Sequence, residues 1–177
     1  TRPGASTVAI TEEIQRVIPV IAELAQYDVV ISVDTSQPEV IREAVKVGAH
    51  IWNDVRALTR PNALQTAAEL DIPVIIMHMR GEPTTMNQLD QYQDVTLDVI
   101  KELQQRVDQA IQSGVKPENI MIDPGFGFAK NAQQNLKLLN EFYKLNAMGY
   151  PILSALSRKR FIGEALGGAD AQNRAIG

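Results

Sequence analysis

Asp34, Asn53, His78, Asp123 and Lys159 all follow the same kind of segment, an apolar run that has just stopped. "VVISV" gives way to Asp34-Thr35-Ser36, "HIW" to Asn53-Asp54, "VIIM" to His78, "IMI" to Asp123, and "PILSAL" to Ser157-Arg158-Lys159. One such residue is commonly a helix cap or a solvated loop position. The same arrangement on five runs points to a shared polar mouth. A half-buried carboxylate such as Asp123 needs donors. A flat heterocycle with adjacent N–H groups supplies them in pairs, as arginine does to a carboxylate. Gly125 and Gly127 allow a tight turn and a close approach of backbone to ligand. Phe128 offers either a face to stack on a ring or a packing contact at the rim. Lys159 is either a cation for the mouth or a solvated member of the basic run 158–160.

The apolar runs must be strands for this placement to hold. Residues 29–33, 50–53, 73–79, 119–123 and 151–156 read as five short strands, rich in β-branched residues. Helical spacing lies between them. Ile14, Val17, Ile18 and Ile21 predict a helix behind Thr11. Ser36 and Glu39 have capping-box spacing ahead of Val40, Ile41, Ala44 and Val45. Residues 61–70, 94–113 and 133–146 complete the set, with Gly48, Gly114 and Gly149 as stops. Nearly continuous apolar strands alternating with helices indicate a parallel sheet. Two architectures fit, a (β/α)8 barrel and a doubly wound open sheet, and both place active residues at the carboxyl ends of strands. The longest loop, 80–92, lies at such an end.

A chain of 177 residues suits a single domain with a substantial core. Its formal charge of −4 argues against a general nucleic-acid or anionic-membrane surface. There is no cysteine, which removes disulfides, a thiol nucleophile and cysteine metal sites. His50 and His78 are too few for a histidine cage. No apolar run reaches membrane-spanning length and no signal peptide is evident, so a cytoplasmic location is expected. The start at Thr-Arg-Pro-Gly and the stop at "NRAIG" lead to the expectation of a central piece of a longer chain.

Thr1-Arg2-Pro3-Gly4, "SVDTS", Asn53-Asp54, "MHM", "DPGFGF" and "SRKRFIG" together resemble the dihydropteroate synthases, in their order and along essentially the whole chain. "DPGFGF" followed by "SRK" is the specific part. The resemblance implies a (β/α)8 barrel, incomplete here, with about strands three to seven present and residues 1–177 as one truncated domain. It implies condensation of (7,8-dihydropterin-6-yl)methyl diphosphate with 4-aminobenzoate, giving dihydropteroate and diphosphate for folate synthesis. Asp34, Asn53, Met77, Asp123 and Lys159 would hold the pterin. Thr1, Arg2, Pro3, Phe128 and Ser157 would serve the aminobenzoate and a closing loop. Asp34, Lys159 and Arg2 would be the catalytic members. Mg2+ is the implied cofactor, with ligands in the diphosphate and in family segments that this sequence lacks, and no metal ligand is expected among these residues. Sulfonamides would compete as aminobenzoate mimics, and a homodimer would be the assembly. Ala129 and Ala155 stand where the family often has glycine. Three other readings compete: a methyltetrahydrofolate:corrinoid methyltransferase, a Schiff-base aldolase using Lys159, and a non-catalytic pterin-binding paralogue. The open edges of a partial barrel would also leave the isolated segment neither stable nor active.

Overall fold

The computed structural model describes residues 8–82, 85–168, 170, 172 and 173. Strands β1 (Ser32–Asp34), β2 (Ile51–Asp54), β3 (Val74–Met77) and β4 (Ile120–Asp123) form one parallel sheet in the order β1-β2-β3-β4. A doubly wound sheet reverses its strand order at a switch point. This sheet keeps sequence order throughout, which is the winding of a (β/α)8 barrel. Helices α1 (Ile10–Leu24), α2 (Pro38–Lys46), α3 (Ala63–Leu70), α4 (Val95–Gln112), α5 (Ala132–Asn140) and α6 (Arg160–Ala165) accompany it. Each helix touches the next one along the chain, so they line one side of the sheet as a curved layer.

Register separates the two faces of the sheet. Asp34 pairs with Asn53, Asn53 with Ile75, and Ile75 with Met121. Paired residues in a parallel sheet point the same way, and every second residue along a strand returns to that face. Asp34, Asn53, Ile75, Met77, Met121 and Asp123 therefore share the face away from the helices. The alternate residues Val33, Trp52, Val74, Ile76, Ile120 and Ile122 belong to the hydrophobic core. Trp52 is fully buried, and its indole N–H donates to the Thr35 carbonyl at 2.7 Å. That bond ties the carboxyl end of β1 to β2.

Several elements differ from the sequence reading. The run 29–33 is displaced: Val29 and Val30 are exposed, and pairing starts where the Ile31 carbonyl accepts from His50 and Ile51. The run 151–156 is no full strand. Ile152 forms a single bridge to Ile122, with Ile122 N donating to Pro151 O at 2.9 Å and Leu153 N to Ile122 O at 2.8 Å. Pro151 has no N–H to extend the ladder. The capping box expected at Ser36 and Glu39 does not form. Pro38 occupies the first turn of α2 and Gln37 is its N-cap, so Ser36 lies one residue too early. Its hydroxyl donates instead to the buried Asp54 carboxylate. A capping box does form at Asn131 and Gln134, opening α5. The helix expected over 133–146 changes at Asn140, and Phe142–Met148 continue as 3-10 turns to Gly149. The first helix begins at Ile10, with Ala9 and not Thr11 at its cap.

Candidate active site

Asp123 ends β4 with only 3% of its surface exposed. Its Oδ1 accepts from Gly125 N at 2.7 Å, and among the described residues its Oδ2 has no donor. Burial pushes this carboxyl above its ordinary value, against the Gly125 N–H and the charges of Lys159 and Lys130. The result is a fixed, half-satisfied carboxylate at the rim of the inner face.

Asn53 contributes a second open valence on that face. Its Oδ1 is buried and has no hydrogen-bond partner among the described residues. A buried, unpaired amide oxygen costs about 1 to 3 kcal/mol, so it marks a place where a donor is wanted. Asp34 is in register with Asn53, and its carboxylate opens at the mouth. The crowding of protein around it raises its carboxyl, and the neighbouring carboxylates of Asp54 and Glu13 add to the effect. Met77 is buried beside Asp123 in register, an apolar surface between the polar groups.

Lys159 caps α6 and leans back over the loop after β4. Its Nζ lies 4.6 Å from the centre of the Phe128 ring. Burial lowers its ammonium, while Asp123 and Asp34 pull the other way. The fold thus brings Asp34, Asn53, Met77, Asp123, Lys159 and Phe128 to one mouth. Ser157 sits on an exposed turn two residues before Lys159 and makes no hydrogen bond to a described residue. Thr1, Arg2 and Pro3 lie outside the described residues.

The two phenylalanines of the loop divide their tasks. Phe126 is fully buried and stacks against Phe142 and Phe161, with centroids 6.1 and 6.0 Å away. Phe128 is left half-buried under Lys159. The turn needs left-handed backbone at Gly125 (φ 68), Gly127 (φ 79) and Ala129 (φ 47). At Gly125 the need is also steric, because a Cβ there would lie 1.9 Å from the His78 carbonyl oxygen.

Sequence reasoning did not find the polar system behind this mouth. Asp54 faces the helices and is fully buried. It accepts from Ser36 Oγ, from Arg56 N at 2.9 Å and from Leu58 N at 2.8 Å. That holds the β2–α3 loop through its left-handed residues Ala57 and Leu58. His78 also faces the helices. Its Nε2 lies 2.9 Å from Glu102 on α4, and its Nδ1 lies 3.0 Å from Lys130 Nζ. Burial and the Lys130 charge lower the imidazole to about 4. Partial burial alone would raise Glu102, but bonds from His78 and Arg80 bring it down to about 2. The sequence signal available was Lys130 itself, a lone charge at the end of "GFGFAK". No cluster of three or more acidic or histidine groups suited to a metal occurs among the described residues.

The family model described as pterin binding enzyme matches residues 1–177. The chain is 48% identical to the dihydropteroate synthase of Escherichia coli K12 over 94% of its own length and 59% of that protein. A Xanthomonas albilineans dihydropteroate synthase solved with 4-aminobenzoic acid superposes with a TM-score of 0.93 at 44% identity, covering 99% of this chain and 63% of that one. The enzyme from the same organism in complex with 7,8-dihydropteroate gives a TM-score of 0.89 at 42% identity, covering 98% and 63%. The chain therefore spans about three fifths of the relatives it matches. A family match over every residue, on a sequentially wound parallel sheet with its polar groups at one mouth, places this chain in the pterin-binding enzyme family.

Proposed function

We propose that the protein is a dihydropteroate synthase and that residues 1–177 form one pterin-binding barrel domain of it. The observation that carries this reading is the pair of open acceptors on the inner face, Asp123 Oδ2 and Asn53 Oδ1. Both suit the N–H edge of an aminopyrimidine ring. Met77 provides the apolar floor. Lys159 donates to the pterin carbonyl and ring nitrogen. Ser157 and Phe128 receive the carboxylate and ring of 4-aminobenzoate, and Thr1, Arg2 and Pro3 help close the site.

In the reaction, the bond between the pterin methylene and the diphosphate oxygen breaks, and its electron pair leaves with diphosphate. Asp34 stabilises the positive charge that develops on the pterin-methyl group. The aminobenzoate nitrogen then forms the new C–N bond and gives up one proton. No protein nucleophile is required, in keeping with a chain that has no cysteine. Mg2+ belongs to the reading as a companion of the diphosphate, held outside the residues described above. The relatives' bound 4-aminobenzoic acid and 7,8-dihydropteroate support the choice of substrates. Sulfonamides, as aminobenzoate mimics, should enter the same pocket. A cytoplasmic homodimer completes the proposal. Among the described residues no helix is long and apolar enough to cross a membrane. Exposed Leu136, Leu139 and Tyr143 supply apolar surface on the helical side.

The test is diphosphate release from the pterin diphosphate by the full-length protein, with Mg2+ present, measured with and without 4-aminobenzoate. Release that depends on aminobenzoate is expected. Pterin binding with no release would replace this reading with that of a non-catalytic pterin-binding protein.

A further inference from the structure

Lys130 has only 8% of its surface exposed, yet its Nζ has a full set of partners. It lies 3.0 Å from each of His78 Nδ1, the Gly125 carbonyl and the Phe128 carbonyl. All three are acceptors. The Glu102 carboxylate can only accept, so its 2.9 Å contact assigns the His78 ring proton to Nε2 and leaves Nδ1 as the acceptor. An ammonium has three N–H bonds and answers all three; a neutral amine has two and leaves one unanswered. Two of the partners belong to a single turn, closed by Phe128 N donating to Gly125 O at 3.1 Å. The amide of that same Gly125 holds Asp123 Oδ1 at 2.7 Å. Lys130 is thus one peptide unit from the rotamer of Asp123 and bonded to the residue that carries the Phe128 ring.

We infer that Lys130, held from behind by His78 and Glu102, is a positioning residue for pterin recognition: its ammonium fixes the Gly125–Phe128 turn, which aims the free oxygen of Asp123, and loss of its proton loosens that aim. This role rests on the pterin reading above. The charged groups that face Lys130 are Asp123 on β4, Glu102 on α4, Arg80 after β3 and Lys159 before α6. Burial, opposed by the two carboxylates, lowers the amine to about 7. The clamp is complete below that pH and loses one bond above it. Lys159 is also lowered, and the pterin loses its own ring N–H in mildly alkaline solution, so a pH step in binding has three sources and the test must separate them.

The experiment titrates the full-length protein, with labelled lysine side chains and labelled backbone amides, from about pH 5.5 to about pH 9.5, a range that brackets a lysine shifted from its ordinary value. Affinity for 6-hydroxymethylpterin is measured at each pH. Lys130 should titrate near 7, the Gly125 and Phe128 amides should move with it, and affinity should fall about tenfold, the worth of one hydrogen bond. Lys130→Met should bind about tenfold more weakly below about pH 7 and lack the step near 7, keeping only the pH dependence that comes from Lys159 and the ligand. Lys130→Arg keeps the charge throughout and should recover part of the affinity, again without the step near 7. Should Lys130→Met fail to fold, the wild-type titration decides alone. A Lys130 midpoint near its ordinary value, or affinity that stays flat while Lys130 titrates, overturns the positioning role and leaves the pterin reading intact. A wild-type chain that binds no pterin at any pH overturns both.

Discussion

A single oxygen decides how Asp123 works. Oδ1 is occupied by Gly125 N–H, and Oδ2 is open. Asparagine offers one acceptor oxygen and one NH2 group, so Asp123→Asn must either turn its NH2 toward the Gly125 N–H or present it to the ligand's N–H edge. Either choice sets donor against donor. Pterin affinity should fall about a hundredfold, the scale of a charge-assisted bond lost from a buried site. Titration calorimetry with 6-hydroxymethylpterin reads it, and wild-type affinity in the variant would remove Asp123 from the pterin site. The inner-face residues were legible in sequence because each ends an apolar run, and the runs are strands. His78, Glu102 and Lys130 were not, because contact between them depends on pairing across 24 and 52 residues. A histidine after "VIIM" has the same sequence environment whether it faces ligand or helix. The register shows that Met77 takes the inner face and His78 the other. Ser36 and Asp54 share this limit, since their bond spans 18 residues and overrides the local capping pattern.

The loop from Asp123 to Lys130 is the element on which the mouth depends, and its backbone is more tightly specified than its side chains. Gly125→Ala would place a methyl group 1.9 Å from the His78 carbonyl oxygen at a φ of 68. That atom is backbone in the last pairing of β3 with β4, where His78 N donates to Asp123 O at 2.8 Å. It cannot move without breaking the ladder. The variant should lose about 2 to 4 kcal/mol of stability, combining left-handed strain with a clash that does not relax. Gly149→Ala has a φ of 76 with nothing within 4 Å of the added carbon, and should lose only about 1 kcal/mol. Urea unfolding of both variants measures the contrast. Equal losses would mean that the His78 contact yields and only φ matters. Element types were readable because strand and helix periods differ, and the glycine stops at 48, 114 and 149 do adopt positive φ. The segment 151–156 defeated the same logic. Its composition is that of a strand, but strand length is set by what pairs on each side, and among the described residues it forms a single bridge to Ile122.

At the scale of the whole molecule, the buried groups behind the mouth tie stability to pH. His78 falls from 6.5 to about 4 on folding, so between those values the unfolded chain holds a proton that the native chain refuses. The state that binds more protons gains on acidification, so this contribution is complete above pH 6.5 and is lost as pH falls toward 4. Glu102 falls from 4.5 to about 2, which extends the loss at lower pH with the same sign. Lys130 falls from 10.5 to about 7, so its part rises between pH 7 and 10.5. Asp34, Asp54 and Asp123 oppose the trend above 3.8, because their raised carboxyls favour the native state when protonated. In the window from 4 to 6.5 the His78 part has a ceiling of about 3 kcal/mol, set by the size of its shift, and the raised carboxyls act against it. Glutamine at this position keeps a donor for Glu102 and an acceptor for Lys130 but does not titrate. His78→Gln should flatten the stability slope across that window and leave the slope below it, where Glu102 titrates. Urea unfolding at a series of pH values, for both proteins, gives the two slopes directly. If the variant retained the wild-type slope between 4 and 6.5, His78 would not be the source of the acid sensitivity and its imidazole would have to titrate normally in the fold.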